Sequence, residues 1–336
     1  MMKTGIVDLQ AVLLLLAIAV VPSAFNEAKA ENQVSPLPEG AFSFVVLPDT
    51  QGYVTKKREA TFAAEVDWIL ENRETQRIQF VSHVGDIVDT YESMDEWGIA
   101  KVQMMKLHGI VPFAFSVGNH DMRNSGESDN FQTTFPASLF SEFDWYAGQI
   151  KNNANSYQLF DVDGYQFLWL HIECNAPDDV LNWANNIFMQ HPNRRAIVTT
   201  HMYLGPEHRP KTSKEFMTSP KARMKWHKTH KSNGNTPQQM WDKCFSQHPN
   251  LFLICCGDQS RTQAMHLSPE GVHGNVVHEC LSDYRGGNLR LMRFIPAADQ
   301  IEVITYSPSE KAFCTESKYA PDIEDHQFTL TYDLSK

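Results

Sequence analysis

The stretch Pro112-Phe113-Ala114-Phe115-Ser116-Val117-Gly118-Asn119-His120-Asp121 runs from apolar and aromatic residues into a glycine and three polar side chains. The apolar part reads as a buried strand, and Gly118 permits a tight turn that brings the backbone close to a bound ion or phosphate. The same arrangement recurs outward from this point. Phe42 to Leu47 precedes Asp49-Thr50-Gln51, Ile78 to His83 precedes Gly85-Asp86 and Asp89, and Ala196 to Thr200 precedes His201. Leu251 to Cys256 precedes Gly257-Asp258-Gln259-Ser260, and Gln166 to His171 reads as a further strand. Between these runs, Thr61 to Glu71, Asp95 to Leu107, Asp178 to Gln190 and Pro237 to Gln247 carry helical patterns. Strands alternating with helices imply an α/β sheet with covered faces, in which ligands collect beyond the strand ends. After Gly274 the runs Asn275 to Leu281, Leu289 to Phe294, Gln300 to Tyr306 and Gln327 to Tyr332 follow one another without helices, as an antiparallel half would.

Strand ends that each present Asp, Asn, Gln or His give a convergent oxygen and nitrogen set suited to one or two divalent cations. Singly these signals are common: a strand-end Asp often caps a helix, and a lone His usually packs in a core. Their joint placement carries the reading. His83, and His171 with Glu173, lie on strands beside the site and read as supporting or core groups.

In order and spacing these motifs resemble the calcineurin-like metallophosphoesterase family, whose pattern runs DxH, GDxxD, GNHD or GNHE, a later single His, then GHxH. The resemblance spans about Phe42 to Phe294. It implies a four-layer αββα sandwich of two mixed sheets, and a metal-bound hydroxide that hydrolyses phosphate mono- or diesters. By position it implies Asp86 as the bridge between metals, Asn119 and His201 on one ion, and Asp49 on the other. It assigns His120 to the phosphate or leaving group and Asp89 to orienting that histidine. Two cations roughly 4 Å apart would polarise water and hold the phosphoryl oxygens for in-line attack.

The chain departs from the pattern at Gln51, where DxH has His, and at Asp258 and Ser260, where GHxH has its two histidines. A carboxylate at Asp258 keeps a ligand and favours harder ions, so Mn, Fe or Mg is expected ahead of Zn. The ion on Asp49 retains Asp49, Asp86 and the neutral oxygens of Gln51 and Ser260, which suits a hydrated hard cation. One firm and one loose site are expected. The alternative is an exported, non-catalytic binding protein on a degenerate phosphoesterase fold.

A formal net charge of -11 over 336 residues argues against general nucleic-acid binding, which needs clustered Lys and Arg. One stretch breaks the pattern: His208 to Lys231 holds eight Lys or Arg, three His and a single acid, Glu215. Folded over the metals, its Arg209 and Arg223 would bind a phosphorylated or otherwise anionic substrate; left in solvent, it is a charged loop. Lys3, the apolar run Ala11 to Val21 and Ala28-Lys29-Ala30 read as a signal peptide over residues 1–30, or as an uncleaved anchor. Either places the folded part outside the cytoplasm, periplasmic or extracellular. Residues 31–40 read as a linker and 41–336 as one phosphoesterase domain. The six cysteines show no CxxC spacing and read as core residues, with room for one long-range disulfide.

Overall fold

The computed structural model describes residues 32–212, 214–215, 229–284 and 286–335. The expected leader and Arg223 lie outside these residues. Val34 to Lys336 form one compact unit.

The chain lays down one sheet, crosses to a second, and returns. Strands β1 (Phe42–Leu47), β2 (Ile78–His83) and β3 (Phe113–Phe115) begin the first sheet as parallel neighbours. The second sheet takes β4 (Tyr146–Ile150), β5 (Asn155–Val162), β6 (Tyr165–His171), β7 (Arg195–Met202), β8 (Leu251–Gly257), β9 (Ala264–Leu267) and β10 (His278–Ser282), in the order β4-β5-β6-β7-β8-β10-β9. β11 (Leu289–Ile295), β12 (Gln300–Ser307), β13 (Ala312–Phe313) and β14 (Gln327–Thr331) then return to the first sheet, with β11 antiparallel to β1. Both sheets are mixed.

Strand alternation sorts the side chains. Phe44 and Val46 face the second sheet, where they join Phe167, Trp169, Leu253 and Phe294 in the inter-sheet core. Val45 and Leu47 face outward, against Phe62, Val66 and Ile69 of α1 (Glu59–Asn72) and Trp97 and Ala100 of α2 (Met94–Met104). α3 (Asp129–Thr134) adds Phe131 to that outer core. On the far side, α4 (Asp178–Gln190) presents Val180, Leu181, Ala184, Ile187 and Phe188, a helical stripe, to the second sheet. α5 (Pro237–Lys243), whose start is fixed by a reciprocal capping box between Thr236 and Gln239, packs Met240 and Trp241 there too. The result is an αββα sandwich. Phe80 of β2 stacks on Trp169 of β6 at 4.8 Å, and Ser82 Oγ lies 2.9 Å from His171 Nε2 and 2.7 Å from Thr199 Oγ1, so aromatic and polar contacts both fix the two sheets in register.

The expected antiparallel half needs one correction. β11, β12 and β14 are antiparallel, but β10 belongs to the second sheet, parallel to β8, because β9 runs back along the sheet edge first. The β4–β5 hairpin was not legible, being partly exposed and turned by Lys151, Asn152 and Asn153 at positive φ. The segment read as a linker is docked: Ser35 O accepts from Gln76 Nε2 at 3.1 Å, and Val34 packs on the core. All six cysteines are free thiols, five of them buried.

Candidate metal centre

Strands β1, β2, β3, β7 and β8 end on one edge of the sandwich, and their following residues meet there. Ligand atoms of Asp49, Asp86 and His201 lie within 4.8 Å of one another, all three side chains buried. His201 Nε2 is 3.0 Å from Asp86 Oδ1, 3.7 Å from Asp258 Oδ1 and 3.9 Å from Asp49 Oδ2. Its other nitrogen, Nδ1, donates to the Val84 carbonyl at 2.9 Å, which fixes the ring so that Nε2 faces the carboxylates. Nε2 has no aligned hydrogen-bond partner, and neither do buried Asp49 Oδ1 and Asn119 Oδ1.

Glycines permit the crowding. A Cβ on Gly118 would stand 2.2 Å from Asp86 Oδ1, and one on Gly257 would stand 2.2 Å from Asp49 Oδ1. Asp86 and Asp258 take positive φ, 50° and 70°, a conformation in which Asp is better tolerated than most residues and which recurs at functional sites.

The turn after β3 is locked to the turn after β2. Asp121 accepts from Val88 N at 3.0 Å and Gly118 N at 2.8 Å, and His120 N donates to Asp86 Oδ1 at 2.9 Å. Sequence reading gave Asp121 no role, although it closes the GNHD motif. His83 supports the turn from below: its Nδ1 accepts from Gly85 N at 3.1 Å and its Nε2 meets Thr50 Oγ1 at 3.1 Å. Burial pushes the His83 and His171 rings down to about 3, so both are neutral supports.

The electrostatics are those of an anionic cage. Burial, then the charge of Asp283, raises Asp49 well above the carboxylate range, with His201 opposing. Burial likewise lifts Asp258 to about 6 and Asp121 to about 7. Burial works against ionised Asp86 too, but His201 and His120 hold its carboxyl below the ordinary value. His201 is raised well above its usual value: burial disfavours its cation, and the Asp86 and Asp49 charges overcome that. A field of this sign draws in positive charge. Carboxylates, an imidazole nitrogen and an amide oxygen, several without protein partners, fit a divalent cation, and Asp49, Asp86, Asn119, His201 and Asp258 would hold it.

Other expected residues are placed differently. Gln51 donates its amide to Asp86 Oδ2 at 2.8 Å, so in this arrangement it braces the carboxylate. Asp89 meets His120 Nδ1 through its main-chain carbonyl at 2.6 Å, while its exposed carboxylate is 3.7 Å away, so the orienting group is the backbone. Arg209 pairs with buried Glu279 at 2.5 Å, reaches Gln238 Oε1 at 3.3 Å and lies over Trp241 at 4.0 Å. A guanidinium committed in this way holds its loop to the second sheet and is not offered to a substrate anion. Asp283, just past the end of β10, is buried as well.

The profile of the family described as Calcineurin-like phosphoesterase matches residues 42–231. A curated relative, the uncharacterized protein YvnB of Bacillus subtilis (strain 168), is 26% identical over 320 residues, 90% of this chain and 22% of the relative. The chain thus spans about a fifth of that relative's length. In fold it is similar to a dimetal phosphatase from Danio rerio, with TM-score 0.52 and 10% identity over 89% of this chain and 100% of that one. A purple acid phosphatase from yellow lupin (Lupinus luteus) seeds is similar over 90% of this chain and 55% of its own, with TM-score 0.53 and 10% identity. Strand-end motifs, two-sheet architecture and profile agree, and the chain belongs to the calcineurin-like phosphoesterase family.

Proposed function

We propose that this chain is an exported, metal-dependent hydrolase of phosphate mono- or diesters. The observation that carries the reading is His201 Nε2, aimed by the Val84 carbonyl toward the buried carboxylates of Asp49 and Asp86 and the partly buried one of Asp258. When bound, divalent ions in this cage supply water activation and neutralise phosphoryl charge.

The protein's own groups do the rest. Asp86, braced by the Gln51 amide and the His120 backbone N–H, is the central carboxylate. His120 acts on the ester: Nδ1–H is pinned to the Asp89 carbonyl, leaving Nε2 to contact the phosphoryl oxygen or protonate the departing alkoxide. Burial disfavours its cation, yet the Asp86 charge and the Asp89 carbonyl raise His120 above the usual imidazole value, which suits a proton donor. Export rests on the reading of residues 1–30 as a leader, and N-terminal sequencing of protein recovered outside the cytoplasm tests it.

The test of activity is hydrolysis of p-nitrophenyl phosphate and bis-p-nitrophenyl phosphate by metal-stripped protein resupplied with Mn²⁺, Fe²⁺, Mg²⁺ or Zn²⁺, with His120→Ala as control. Turnover restored by metal and lost in the variant supports the proposal. Folded protein inactive with every ion overturns it in favour of a binding protein.

A further inference from the structure

Past the turn that carries His120, Ser125 lines a polar cleft of about 610 Å³. β6 and β7 are parallel, with His171 beside Thr199, so Glu173 leaves the second sheet at the edge where His201 does. The amide of the next residue, Cys174, donates to the Val117 carbonyl at 2.8 Å, and the short chain from Val117 to His120 spans at most about 11 Å. Glu173 is fully buried, with Lys151 Nζ 2.6 Å from its Oε1 and His230 Nε2 3.8 Å from its Oε2. Lys151 and His230 are both walls of the cleft, and Glu173 lies beneath them.

The walls are fixed in advance. Asn152 Oδ1 accepts from Ala137 N at 3.2 Å and Asn153 Nδ2 donates to the Phe135 carbonyl at 2.9 Å, which holds the hairpin turn bearing Lys151. Gly126, in the turn that follows the GNHD motif, lies so close to His230 that a Cβ there would stand 2.1 Å from Nδ1. Opposite, Pro177 forms a bridge with Gly234, and Asn235 Nδ2 donates to Asp178 Oδ1 at 2.9 Å.

The lining decides the ligand class. Each ammonium group is already on a carboxylate, Lys151 on Glu173 and Lys243 on Asp178 at 2.7 Å, and Asp179 stands exposed beside them, so no lysine is left for a second phosphate. Among the described residues no Phe, Tyr or Trp lines the cleft to stack a nucleobase. Glu173 Oε2 and His230 Nε2 are both buried without a hydrogen-bond partner. Burial lowers the His230 pKa, against the charge of Glu173, so the ring is neutral. A hydroxyl, donating to the carboxylate and accepting from an imidazole N–H, satisfies both. Asp179, Ser232 and Asn233, exposed on the rim, offer further donors and acceptors to neighbouring hydroxyls.

We propose that this cleft is a subsite for the alcohol portion of the phosphate ester and that it takes a polyol unit, of sugar or glycerol type. A site built to hydrogen-bond hydroxyls rejects an ester lacking them, because its own polar groups are then left unpaired.

The inference rests on the phosphoester reading, and the experiment keeps the two apart. Saturation-transfer NMR on the full chain measures binding of ribitol, which carries no phosphate and needs no metal. Transfer from wild type is expected, and His230→Phe, which keeps a ring without its nitrogens, should weaken binding by about tenfold, as a lost hydrogen bond does. Asp179→Ala, at an exposed position, should weaken it in the same direction and serves if the His230 variant does not fold. With Mn²⁺ supplied, the ratio of kcat/KM for glycerol 2-phosphate to that for p-nitrophenyl phosphate should fall in the same variants. Folded wild type that gives no transfer to ribitol, folded variants that keep wild-type transfer, or an unchanged kcat/KM ratio overturns the inference and leaves the proposed function standing. Ribitol binding without hydrolysis of any ester overturns the proposed function instead, and leaves a polyol site.

Discussion

The main-chain amide of Asp258 donates to Oδ2 of Asp49 across 3.1 Å, joining residues 209 apart in sequence and closing the ends of β8 and β1 against each other. One belongs to each sheet, so the site exists only when the two sheets are packed. Metal binding and folding are therefore coupled. Chelation is expected to lower the melting temperature, and Mn²⁺ to raise it with increasing concentration, as for any ligand specific to the native state. A melting temperature indifferent to both would contradict the cage.

His120 contacts Asp86 through its backbone and keeps its ring for the ester. His120→Ala should therefore lower kcat by about 10² to 10⁴-fold, the usual worth of a positioned acid or base, with metal content unchanged. Loss of metal together with activity would make it a ligand instead.

Because the carbonyl of Asp89, not its carboxylate, meets the His120 ring, Asp89→Asn should cost little. An exposed charge pair is worth at most about 1 kcal/mol, so the change in kcat/KM should stay under about fivefold. A larger loss would restore the carboxylate to the mechanism.

Arg209 pairs with the fully buried Glu279, and Arg209→Ala removes the charge partner of that carboxylate, leaving it the Tyr203 hydroxyl. Stability should fall by about 3–5 kcal/mol in denaturant titration, while KM of the folded fraction is unchanged. A raised KM at unchanged stability would return Arg209 to the substrate.

Glu65 accepts from the Tyr53 hydroxyl at 3.0 Å in a fully buried setting, and burial pushes its carboxyl up to about 8. The folded state then holds a proton that the unfolded state releases near pH 4.5, the ordinary value. Between these values the unfolded state binds fewer protons, so stability falls as pH rises, levelling above about 8. Glu65→Gln, which cannot ionise, should gain on wild type across that window by no more than about 1.4 kcal/mol per pH unit. Parallel stability curves for the two proteins would show that Glu65 is ionised in the fold.

Much of this was legible before any tertiary structure. β1, β2 and the helix Asp178–Gln190 stand where their apolar periods put them, and the side chains of Asp49, Asp86, His201 and Asp258 lie close together past the strand ends. What failed was partner choice: Arg209 looked available to an anion until Glu279, 70 residues away, was found beneath it. The burial of Asp283 was equally hidden, because nothing local shows that β10 runs next to β8.

The elements and the residue types at their ends could be read locally, because hydrophobic alternation and glycine's freedom act over a few residues. Which sheet each strand joins, that the Asp89 backbone orients His120, and that the Asp258 amide closes on Asp49 were settled by the packed fold. Those outcomes follow from burying two faces of two sheets at once, a packing condition on residues hundreds of positions apart that no short window of sequence contains.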